Sequence, residues 1–387
     1  MTTTRTLWLW LVAAFLAVPA GAQAADPAGA RPRIWFGVLD PPVVAQRDVT
    51  IRARTSNHPL DPTPLPLECS GLAWAGGTLL AASDRHAHAL FRVAVDPERA
   101  ILGTPRPEPI ILNERNLLRD VEALAARPGP GGVQRVYALT SMSHDFDGST
   151  DLSRHRFARV PVSSSGRPLA NAAAVLDVSG LRREIDKHLH ALRVGHYAAW
   201  SDQLGANTDR WGNVEGLAFE PGGGRALLGM RNPLAGRDAL AVAVTGVDAA
   251  FDAGDATLLR VVDLFRLDLG GRGIADLCWD PVTRGYLVAA GLSGGTREPG
   301  SEAYPLVDFD YALFWWSGRK AEPPVAVLRA ADLNIDAVCR VGDSDLIALA
   351  SDEGDASENR DGRQSLLTLL HFDATKRAQA AASEPTP

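Results

Sequence analysis

Short apolar runs of six to eight residues, separated by turns of small and polar residues, recur along most of the chain. Five of these runs align: CSGLAW (69–74), VEALAA (121–126), VEGLAF (214–219), IADLCW (274–279) and IDAVCR (335–340). A second apolar run follows each, as TLLAASD, RVYALTS, RALLGMR, GYLVAAG and DLIALAS. A third comes next, in HALFRVAV, RFARVPV, ALAVAV, YALFWWSG and SLLTLLHF. Four of the units close with a fourth run: EPIILNE, AAVLDVS, LLRVVDL and PVAVLRA. Runs of this length bounded by turn residues predict strands. The fifth unit ends after its third strand, and one further strand-like segment, DVTIRAR (48–54), precedes the first unit.

Four-stranded units at this repeat, with an early strand left over for the last one, predict an all-β chain: a five-bladed β-propeller closed by its N-terminal strand, over residues 48–372. Such closure removes exposed sheet edges. One interval, the 93 residues from Val121 to Val214, is long enough to hold a sixth blade. Its segment 180–205 instead places Leu181, Ile185, Leu189 and Leu192 at helical spacing with few β-branched residues, which predicts a helical insertion.

The first strand of each blade lines the channel of a propeller. The second position of the five aligned runs therefore forms a ring of Ser70, Glu122, Glu215, Ala275 and Asp336. Three carboxylates converging on one axis raise one another's pKa unless a cation stands between them. Hard oxygen donors suit Ca²⁺, or Mg²⁺, rather than zinc. Two readings follow: a divalent cation held by Ser70, Glu122, Glu215 and Asp336, or acids that accept hydrogen bonds from backbone amides and channel water. In the fourth unit the acid is displaced by one, to Asp276.

Second strands return to the same face, so their ends surround the mouth: Asp84 and Arg85, Ser141 and His144, Arg231, and Asp352. Arg231 is a candidate clamp for a phosphate or carboxylate, or a counter-charge for the ring acids. His144 is the candidate general base. The helical insertion also emerges on this face, where its Arg182, Arg183 and Lys187 offer attraction to an anion or simply a solvated surface. Cys278 and Cys339 occupy the same place in adjacent units, and neighbouring first strands are expected to hold them too far apart for a disulfide.

Composition narrows the partners. Residues 1–24 read as a secretory leader, with Arg5, the apolar run LWLWLVAAFLAV and the small-residue site Ala22-Gln23-Ala24. That run is too short to span a membrane, which predicts an exported protein, periplasmic or secreted, with no membrane span after cleavage. The whole chain carries a net charge of −7, which disfavours nucleic acid and leaves a small anionic ligand or another protein as the expected partner. Three cysteines make no disulfide framework. The tail, 373–387, is rich in Ala, Ser, Glu and Pro and predicts disorder.

Several blocks resemble a family of bacterial, often exported, propeller-like proteins of unknown function: WGNVEGLAFEPGGGRALLGMRNPLAGRDALAVAV, GGRGIADLCWD with YALFWWSG, CSGLAW with LLAASDRHAHALFRV, and VEALAA with SMSHD. Together they span about residues 65–370. More distantly, SGLAW and ASDR in the first unit and ALASDE in the fifth are similar to the calcium-dependent apyrases, five-bladed enzymes that hold Ca²⁺ in the channel and hydrolyse nucleoside diphosphates. That resemblance implies Ser70, Glu122 and Glu215 as calcium ligands, with Asp336 in place of a longer or neutral group and no oxygen at Ala275. The expectation is a metal-dependent hydrolase of a phosphate ester, in which Arg231 stabilises developing charge and His144 or a carboxylate activates water. The alternative is a non-catalytic binding module built on the same hub.

Overall fold

The computed structural model describes residues 43–48, 68–84, 86, 89–110, 118–143, 151–191, 212–291, 311–330, 334–352 and 365–372. The N-terminal strand is β1 (Val43–Asp48). Blade 1 comprises β2 (Cys69–Ala75), β3 (Thr78–Ser83) and β4 (Ala89–Val93), then a small ribbon of β5 (Val95–Asp96) and β6 (Ile101–Leu102), and the outer strand β7 (Arg106–Pro109). Blade 2 comprises β8 (Val121–Pro128), β9 (Gln134–Thr140), β10 (Arg156–Val162) and β11 (Ala174–Asp177), after which comes helix α1 (Ser179–Ala191). Blade 3 comprises β12 (Asn213–Phe219), β13 (Arg225–Ala235), β14 (Asp238–Thr245) and β15 (Arg260–Asp268), with the short helix α2 (Val247–Ala253) inside it. Blade 4 comprises β16 (Gly273–Asp280), β17 (Gly285–Gly291), β18 (Tyr311–Trp316) and β19 (Val325–Ala330). Blade 5 comprises β20 (Ile335–Arg340), β21 (Leu346–Asp352) and β22 (Ser365–His371), and β1 completes it as the fourth strand.

The chain is thus a five-bladed β-propeller with each four-stranded sheet antiparallel throughout. Its closing strand lies earlier than DVTIRAR: Val43 pairs with Leu370 and Asp48 with Leu366, so β1 ends where the sequence pattern placed its start. In the long interval between blades 2 and 3, the described residues form α1 and no further sheet.

Five apolar clusters fill the molecule, one between each pair of neighbouring blades. This explains the imperfect alternation in the sequence. A strand covered on both faces is apolar on both, as in TLLAAS of β3 and GYLVAAG of β17, where every residue is buried. Helix α1 buries Leu181, Ile185 and Leu189 in the cluster between blades 2 and 3. Arg182 lies on that buried side too. Its Nη1 donates to the carbonyls of Met142 (2.5 Å) and Gly212 (2.7 Å), and its Nε pairs with Asp186. It is only 2% exposed, so it fastens the insertion and is not presented to an anion.

Candidate functional site: the acidic channel mouth

The ring has a backbone cause. In every first strand the pairing with the second slips at one shared place, between Cys69 and Gly71, Val121 and Ala123, Val214 and Gly216, Ile274 and Asp276, and Ile335 and Ala337, and in blade 3 it slips a second time between Asn213 and Val214. The residue skipped in each case is Ser70, Glu122, Glu215, Ala275 or Asp336. A β-bulge leaves its extra residue out of the ladder and re-aims its side chain. Repeated five times, it directs the ring residues away from the sheets toward the axis.

These five residues differ in what they do there. The Ser70 hydroxyl donates to the Val121 carbonyl of the next blade. Glu215 accepts from Asn213 Nδ2 at 2.6 Å and from Arg231 Nη1 at 2.5 Å. The same Nη1 donates to Asp336 Oδ1 at 3.2 Å, and Nη2 donates to the Tyr311 hydroxyl at 3.3 Å. Arg231 therefore joins two ring acids, and the contacts fit the counter-charge role of the two that its position allows. Both acids in turn raise its pKa despite its burial. Burial, then Asp336, pushes the Tyr311 hydroxyl up to about 12. Burial raises Glu215 as well and outweighs the lowering by Arg231.

Blade 4 makes room for this guanidinium. It contributes Ala275 to the ring, and its Gly291 lies so close to Tyr311 and Arg231 that a Cβ there would stand 2.5 Å from Tyr311 Cε1 and 3.1 Å from Arg231 Nη2. A Cβ on Gly273 would collide with the Arg231 carbonyl. Its displaced acid, Asp276, turns away from the channel. Fully buried, Asp276 accepts from the amides of Leu277 and Val338, both at 2.8 Å, and so ties blade 4 to blade 5.

Glu122 is different. Among the described residues it has neither a hydrogen bond nor an ion pair. Burial, then Asp120, Glu215, Asp84 and Asp336, raises its pKa well above the usual carboxylate range. Two residues ahead of the ring, Glu68 and Asp120 take left-handed backbone at φ 42° and 62°, a conformation that costs a non-glycine residue energy and gathers at functional sites. Asp120 is balanced by Arg154 Nη1 at 2.8 Å, which also reaches Ser143; the Ser143 and Ser141 hydroxyls lie 2.7 Å apart. Sequence reading missed this rim of Glu68 and Asp120, and Tyr311 with it. The same repeat alignment carries the signal, since the position two before the ring reads Glu68, Asp120, Asn213, Gly273 and Asn334.

Of the other expected mouth residues, Asp84 is half-buried at the end of β3, with its amide donating to the Glu68 carbonyl. Asp352 ends β21. Arg85 and His144 lie outside the described residues. The calcium set implied by the apyrase resemblance does not fit the ring as it stands. The Ser70 hydroxyl is directed to a carbonyl, Glu215 and Asp336 already share a cation in Arg231, and Ala275 has no donor. No group of three or more His, Cys, Asp and Glu among the described residues is arranged to hold a metal ion.

No protein-family model matches the chain, and no curated protein matches it either. Solved structures of similar shape include the PQQ-bound aldose sugar dehydrogenase of Streptomyces coelicolor, at 15% identity and a TM-score of 0.38 over 86% of this chain and 99% of that one. A GH43 β-1,3-galactosidase is similar at 9% identity and a TM-score of 0.42, over 84% of this chain and 94% of that one. A putative gluconolactonase is similar at 11% identity and a TM-score of 0.35, over 80% and 77%.

Proposed function

We propose that this propeller binds a small positively charged species at its channel mouth, calcium being the first candidate and magnesium the second, and that Glu122 is the carboxyl that receives it. One observation carries the reading: Glu122 has no partner among the described residues, while four other acids act on it. Crowded carboxylates are relieved by a cation, and hard oxygens favour Ca²⁺. Export through residues 1–24 is part of the same proposal and suits a calcium-rich surrounding. Non-catalytic binding is preferred to hydrolysis of a phosphate ester, because Arg231 is turned into the ring toward Glu215 and Asp336. Among the described residues, a phosphate group entering without a cation meets the carboxyls of Glu122, Asp84 and Asp120, the last paired with Arg154.

Glu122→Gln tests this in two opposite directions. The folded-state pKa of Glu122 is raised, so stability is unaffected below the unfolded value and is lost as the pH climbs through the folded one. The variant is therefore expected to melt higher than wild type at pH 8 and nearly the same at pH 4. Calorimetric titration with CaCl₂ at pH 7.5 should show binding to wild type, with a rise in melting temperature, and at least tenfold weaker binding to the variant. Wild type that takes up neither Ca²⁺ nor Mg²⁺ and keeps its melting temperature in both would sink the proposal.

A further inference from the structure

We propose that Cys278 and Cys339 are an oxidisable dithiol that closes to a disulfide between blades 4 and 5. Two contacts fix the register of these first strands. Asp276 Oδ2 accepts from the Val338 amide at 2.8 Å, and Asp280 accepts from Arg340 at 2.9 and 2.5 Å. Cys278 lies between the two acids and Cys339 between their partners, so the thiols stand at one level of the hub. Cys278 packs against the apolar cluster that contains Cys339. Each thiol donates to the carbonyl of the next residue, at 3.4 and 3.2 Å, weak bonds that an oxidant displaces at little cost. In blades 1, 2 and 3 the same position holds Ala73, Ala125 and Ala218, so thiols occupy it only where two neighbours are adjacent.

The two sulfurs are unequal in a way that orders the chemistry. Cys278 is partly exposed, whereas Cys339 is 3% exposed. The side-chain contact with Cys339 lowers the Cys278 thiol against the effect of burial, and the same contact with burial raises Cys339. Cys278 is accordingly the attacking thiol. Its thiolate attacks one sulfur of a small-molecule disulfide such as oxidised glutathione, forming a mixed disulfide and releasing one thiol. Cys339 then gives its proton to solvent and attacks Cys278 Sγ, releasing the second thiol. Two protein S–H bonds and the oxidant's S–S bond become one protein S–S bond and two S–H bonds.

Thiol counting on the full chain tests the assignment. Reduced protein has three titratable thiols after unfolding, Cys69, Cys278 and Cys339. Incubation of folded protein with oxidised glutathione should leave one, and peptide mapping should find Cys278 linked to Cys339. Cys339→Ser should stop at glutathione on Cys278, while Cys278→Ser should keep both remaining thiols free. Three free thiols in treated wild type, glutathione left unresolved on wild-type Cys278, or a bridge to Cys69 would each overturn the proposal.

Discussion

Arg340→Met is expected to lower the unfolding free energy by about 3–5 kcal/mol, the usual cost of removing one partner from a buried pair. Arg340 and Asp280 are 2% and 0% exposed at their side chains, and the guanidinium meets both carboxylate oxygens. Arg340 Nη1 also donates to the carbonyl of Phe372, which follows the last strand, at 3.2 Å. Asp280 also receives the Val282 amide at 3.0 Å and the Thr283 hydroxyl at 2.7 Å, which hold the turn that follows it. Without Arg340, those two donors alone hold a fully buried charge. Denaturant unfolding of Arg340→Met, Asp280→Asn and the double variant measures the coupling. The double variant should cost clearly less than the two singles added together, since removing both charges leaves none stranded. Additive losses, or a loss below about 1 kcal/mol for Arg340→Met, would show that the pair is not holding blades 4 and 5 together. Arg340→Lys is not a rescue, because an ammonium cannot span both oxygens.

How far the fold is legible in the sequence follows from what repeats. The strand runs recur five times, and that recurrence gives both the blade count and the ring, because a bulge at one fixed place carries the same side chain to the axis in each blade. The closing strand does not repeat. Apolar alternation selects DVTIRAR, yet an outermost strand is chosen by backbone register against β22, which VVAQRD meets from Val43 to Asp48. Arg182 misleads for a related reason. A helical wheel shows it beside charged neighbours, but orphan carbonyls at Met142 and Gly212, distant in sequence, draw it inward. The ring's charge balance is likewise invisible at any single position. Gly273 and Gly291 look like ordinary small residues until Arg231 from blade 3 is seen against them, its backbone at Gly273 and its guanidinium at Gly291.

Arg231→Met is expected to be nearly silent in acid and costly above neutrality. Arg231 is the one described cation in contact with Glu215 and Asp336, whose side chains are 14% and 19% exposed. Removing it takes away the charge that lowers Glu215 while burial and Asp120 still raise it, so the Glu215 carboxyl rises further. A group whose folded pKa is raised above its unfolded value leaves the fold unharmed below the unfolded value, about 4.3 for Glu, and costs stability as the pH climbs through the folded one. Melting temperatures of variant and wild type should thus agree near pH 4 and diverge steadily to pH 8, where the deficit reaches about 2–3 kcal/mol, reduced from the fully buried case by partial exposure. Adding Glu215→Gln to the variant should recover part of that deficit, since it removes one of the stranded charges. Calcium should recover part of it too, and at lower concentration than it acts on wild type, because the ion then replaces the guanidinium between the same oxygens. A deficit that stays constant from pH 4 to pH 8 would assign the loss to the contact of the guanidinium with Tyr311, and the ring acids would then not need a cation at all.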